Sequence, residues 1–137
     1  MPAQPSHGRY HDLETILVAL RARFFPESTG VTIRWGRWSG RTRTRSIRLG
    51  AYLPEQQLIR IHPALDQDFV PRFFVEFIVY HELLHHIIPP RRVNGRYQIH
   101  SPAFRQGECQ FPAYTEAMLW RKRSLRRLLA SNDRHRA

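Results

Sequence analysis

The stretch VEFIVYHELLHHIIPP, residues 75–90, sets His81 and His85 four positions apart, with Glu82 directly after the first. On a helix this spacing places both imidazoles on one face, one turn apart. Two imidazoles so placed can share one zinc ion at ~2.0–2.1 Å each. A carboxylate at the second position can take a proton from a water and deliver it to a leaving amine. The pattern therefore has the residue types and spacing of a zinc peptidase helix. Its context sharpens that reading. Phe74, Phe77, Ile78, Val79, Leu83, Leu84, Ile87 and Ile88 make the segment apolar, and burying His81, Glu82 and His85 among them without partners is costly. The bland alternative is a helix whose histidines and glutamate face solvent.

A catalytic zinc site normally has three protein ligands and one open position. The offset used by metzincins for their third histidine falls on Arg91, which excludes that class. His100 follows an Asn94-Gly95 turn and opens HSPAF at an expected helix start, so a chain reversal can bring it back to the other two. Glu108 or Glu116 is the alternative third ligand; His100 is preferred because imidazole suits zinc. Glu108 can instead orient a ligand histidine, and Tyr114 can donate to an oxyanion, against the plainer readings of a surface acid and a core aromatic. His86 points about 100° away from its neighbour on the helix, and His62 ends a strand; both read as structural or surface residues. Cys109 reads as a small core residue.

The elements that must position these residues follow from periodicity. Leu13, Ile16, Leu17, Leu20 and Phe24 recur at helical spacing between an Asp12 cap and a Pro26 stop. Val31, Ile33 and Trp35, then Ile47, Leu49 and Ala51, then Ile59 and Ile61 alternate with other residues, which predicts three strands of an antiparallel-type sheet with one buried face. SGRTRT, between the first two strands, reads as a turn or hairpin loop. A central helix runs from Pro71 to Pro89-Pro90. A short helix follows Ser101-Pro102, and a last one starts near Pro112 with Tyr114, Met118, Leu125 and Leu129 on one face. The order implies an α+β fold: a flexible arm at 1–10, one domain at 11–130 and a basic tail at 131–137.

Composition bounds the function. The 137 residues suit one core, and no apolar run approaches a membrane span. One cysteine excludes an internal disulfide and a cysteine-based zinc ribbon. With no apolar signal core near Met1, the expectation is a cytoplasmic protein. The net charge of +11 implies attraction to a polyanion, most often nucleic acid, so DNA bound at the nucleoid stands as one expectation beside a basic enzyme with no such partner. Arg41, Arg43 and Arg45 in the loop, and Arg121, Lys122 and Arg123 on the last helix, are the candidate nucleic-acid contacts, with Trp35 and Trp38 interleaved with the first group. Solvated basic faces are the alternative.

FIVYHELLHHIIPP followed by HSPAF resembles the SprT-like metallopeptidase family, which includes the Spartan-type proteases. The resemblance spans most of the chain, to about residue 120. It implies His81, His85 and His100 as ligands of one Zn²⁺, Glu82 as the catalytic glutamate and Phe104 as the aromatic after the third histidine. A related bacterial family with HELxH and a downstream His-x-x-x-Phe fits equally. The expected function is zinc-dependent hydrolysis of peptide bonds in a protein or peptide substrate, including proteins associated with DNA. The rival expectation, from a different class, is a basic nucleic-acid-binding module with a structural or catalytically silent zinc site.

Overall fold

The computed structural model describes residues 6–38 and 47–134, with the side chains of 132–134 left aside. The SGRTRT loop, with Arg41, Arg43 and Arg45, lies outside the described residues. The elements are α1 (Leu13–Phe24), β1 (Thr32–Trp35), β2 (Gly50–Leu53), β3 (Leu58–Ile61), a 3-10 turn (Pro63–Leu65), α2 (Arg72–Ile87), β4 (Arg91–Val93), β5 (Arg96–Gln98), α3 (Pro102–Cys109) and α4 (Tyr114–Arg134). The fold is α+β.

Helix α1 starts where the Asp12 carboxylate accepts from the Glu14 backbone N–H at 3.1 Å and ends as the Phe25 N–H reaches the Arg21 carbonyl, just before Pro26. Its buried stripe, Leu13, Ile16, Leu17 and Leu20, packs against α2. Helix α2 begins directly after Pro71 and stops ahead of Pro89, as its flanking prolines require. It contacts α1, the sheet, α3 and α4, which makes it the centre of the core. Phe74, Val75, Val79 and Leu83 have no exposed surface, and fully burying each such side chain stabilises the fold by about 1.5–3 kcal/mol.

The sheet differs from the antiparallel expectation. Its order is β1-β3-β2, with β2 antiparallel and β1 parallel to β3. A tight turn joins β2 to β3, with Gln57 at φ 49°, and β2 pairs on the side of β3 away from β1. Alternation marks a buried face but not the neighbour across it, so it could not choose between these pairings. The second strand also starts later than expected, at Gly50; Ile47 and Leu49 are buried but precede it.

The ends depart from expectation too. From Ser6 onward the arm is tied down: the Asp66 carboxylate accepts from the backbone N–H groups of Arg9, Tyr10 and His11 at 2.7, 2.8 and 3.1 Å. A β-carbon on Gly8 would lie 2.5 Å from that carboxylate, so the approach needs glycine. Helix α4 continues through Ser131, which is buried and donates to the Arg127 carbonyl, so the supposed tail begins inside a helix. Among the described residues, no helix is long and apolar enough to cross a membrane.

The Asp66 clamp gives a direct test. Asp66→Ala should cost about 2 kcal/mol, the worth of hydrogen bonds to a charged acceptor. It should also expose residues 6–12 to protease, read by the denaturation midpoint and the site of limited proteolysis.

Candidate metal centre

One turn of α2 supplies His81, Glu82 and His85. The chain then leaves at Pro89, turns through Asn94 (φ 52°) and Gly95 (φ 79°) in the β4–β5 hairpin, and returns with His100. Positive φ at both turn residues is what an Asn-Gly hairpin requires. The three imidazole centroids stand 5.0–5.3 Å apart, and one nitrogen from each ring lies within 4.8 Å of the other two. They are close enough to hold a metal ion. Neither Glu108 nor Glu116 belongs to this group.

Helix α3 builds the wall behind the cluster. Ser101 is buried and caps α3 through its hydroxyl, which accepts from the Phe104 N–H at 3.2 Å. That fixes Phe104, which has no exposed surface and touches all three rings: it stacks on His85 at 4.4 Å and meets His81 and His100 at 5.1 and 5.0 Å. One turn on, Glu108 accepts a hydrogen bond from His81 Nδ1. With Nδ1 so engaged, Nε2 of His81 is the nitrogen left to bind a cation. The Tyr80 hydroxyl donates to the Gly107 carbonyl at 2.7 Å and holds α3 against α2 at that level.

Electrostatics favours ligand-ready forms. Burial, and then the neighbouring His81 and His100, push the His85 imidazole down to about 4. His100 is lowered in the same way, by burial first and then by His81. Both rings therefore carry a free lone pair at neutral pH. Glu108 is lowered, chiefly by its hydrogen bond from His81. Glu82, only 6% exposed, is raised by burial, with His81 and Arg48 pulling the other way. A raised carboxyl suits a group that must take and return a proton near neutral pH.

The cluster opens onto a cleft of about 300 Å³ between α2, the segment 47–50 and Ile99-His100. Among its other lining residues, Gly50, Arg48 and Arg121 bear on the chemistry of the site. Gly50 faces Glu82: a β-carbon there would lie 2.9 Å from Glu82 Oε2 and 3.0 Å from Cγ, so the glycine makes room for the carboxylate. A glycine within a strand is a signal of close approach. Arg48 and Arg121 also line the cleft, and nothing local in sequence marked them for it. From sequence, Arg121 groups with Lys122 and Arg123, both exposed, as a nucleic-acid contact; the structure sets it at the cleft. Tyr114, by contrast, does not line the cleft; its ring packs on Phe77 at 5.9 Å and its hydroxyl lies beside Cys109, which is exposed rather than a core residue. His86 bonds the Tyr52 hydroxyl through Nδ1 at 2.6 Å, away from the cluster, and His62 caps the 3-10 turn by accepting from Ala64 N–H.

Comparison with known proteins finds no matching family model, no matching curated protein and no matching solved structure.

Two outcomes are expected. Gly50→Ala should displace the Glu82 carboxylate while sparing metal content, seen as a shift in the Glu82 carboxyl resonance with unchanged metal stoichiometry. In the metal-free chain, His85 titrates below its ordinary 6.5, at about 4. As pH falls through that window the unfolded chain takes up a proton that the folded chain refuses, so the His85 contribution to stability declines toward pH 4. Denaturation midpoints across this range should show a slope that His85→Gln reduces.

Proposed function

We propose that this chain is a zinc metallopeptidase of the SprT-like type. The observation that carries the reading is the convergence of His81, His85 and His100 beside the buried Glu82, on the floor of an open cleft. Three imidazoles with an open side form a donor set that suits zinc, and Glu108 supplies the hydrogen bond that orients His81. When bound, the ion polarises the scissile carbonyl and acidifies a water.

The chain's own residues do the rest. Glu82 accepts the proton from the attacking water and passes it to the departing amine nitrogen as the C–N bond breaks. Burial, which raises its carboxyl, makes that return easier. Strand β2 is an edge of the sheet and packs beside α2, so an extended peptide can add along it and reach the cleft. Arg121, at the cleft, offers a cation where Tyr114 does not reach.

Glu82→Gln decides the matter. It should keep bound zinc and the melting temperature but lower peptide hydrolysis by about 10²–10⁴-fold, the range lost with a general base. Full activity in that variant would remove the mechanism. Zinc binding by the wild-type chain with no hydrolysis of any unfolded protein substrate would favour the silent-site rival.

A further inference from the structure

A second concavity, about 530 Å³, lies at the end of the sheet where β1 and β3 finish and β2 begins. Its walls carry Arg34, Arg37, Arg48 and Arg60 with Trp35 and Trp38, and no Asp or Glu. Arg34 and Arg60 are register partners on adjacent strands, both exposed, while Ile33 and Ile59 beside them are buried. Two guanidinium groups thus stand side by side on the outer face, an arrangement that repels unless an anion joins them. The ion pairs among the described residues join His7 to Asp12, Arg72 to Glu76 and His81 to Glu108, so none neutralises this groove. Among the described residues, the buried Trp35 Nε1–H also has no acceptor.

The groove adjoins the metal cleft: Arg48 and Gly50 line both. We propose that it binds an acidic segment of a polypeptide whose neighbouring stretch lies in the metal cleft, so that the protein selects chains with Asp or Glu flanking the bond it addresses. This rests on the peptidase reading. Guanidinium forks match carboxylates in pairs, and an extended chain added to β2 would run beside Arg48 and Gly50, which both concavities share. Nucleic acid fits less well. Stacking needs free aromatic faces, and both indoles pack against the core, Trp38 with its ring edge-on to His62 at 88°.

The test is binding without turnover. The full-length Glu82→Gln chain, zinc-loaded, is titrated by fluorescence anisotropy against three labelled probes. They are a peptide with an Asp/Glu block, the same peptide with Asn/Gln, and a single-stranded oligothymidine. The acidic peptide should bind roughly tenfold tighter than its amide twin, the worth of a few exposed ion pairs. Added salt should shrink the difference. Arg34→Gln/Arg60→Gln should abolish most of it at unchanged zinc content and melting temperature, and Arg37→Gln, should the double variant fold poorly, should reduce it alone. Equal binding of the two peptides, or a preference that survives both variants, overturns the proposal. Displacement of the acidic peptide by a tighter-binding oligothymidine also overturns it and makes the groove a nucleic-acid site. Because the assay needs no hydrolysis, an acid preference in a chain whose wild type cuts nothing would defeat the peptidase reading alone.

Discussion

The structure turns on a conflict inside α2. This helix must be apolar almost all round, because α1, the sheet, α3 and α4 pack on it. It must also carry two imidazoles and a carboxylate on a single turn. Burying a carboxylate is expensive unless charge or hydrogen bonding compensates. Here the cost at Glu82 shows as a raised carboxyl, tempered by His81 and Arg48. The space comes from Gly50, where any side chain would collide with it. Removing that small residue would save nothing for the sheet and would disturb the buried carboxylate beside the imidazoles.

Helix α3 resolves the other half of the conflict in very few residues. Ser101 starts it, Phe104 faces all three imidazoles and Glu108 engages His81. Residues 104 and 108 are one turn apart, so they share a face. A single short helix therefore sets the distance between the rings and the tautomer of one of them. A flexible loop would fix neither.

Much of this was legible because it is local. The spacing of His81, Glu82 and His85, the prolines that bound α2, the Asn94-Gly95 turn and the Ser101 cap each express a short-range rule, and the helices fall close to where those rules put them. What was not legible depends on chain crossings. Strand pairing β1-β3-β2 requires knowing that β2 lands on the side of β3 away from β1, and no periodicity encodes that. The roles of Arg48, Arg121 and Asp66 depend on the same long-range placement. Tyr114 fails in the opposite sense: its chemistry suited an oxyanion donor, but the start of α4 turns it toward Phe77 and Cys109.

The hairpin that delivers His100 has every residue from Arg91 to His100 exposed, including Tyr97 and Ile99 at 68% and 52%. It brings almost no apolar burial of its own, and a two-stranded ribbon alone is barely stable in water. A cation held jointly by α2 and His100 would act as the clasp that fastens this ribbon to the body. Loading the ion and ordering the ribbon would then be one equilibrium, so scarcity of metal would be felt as a loosened flap on the rim of the cleft before it was felt in the core.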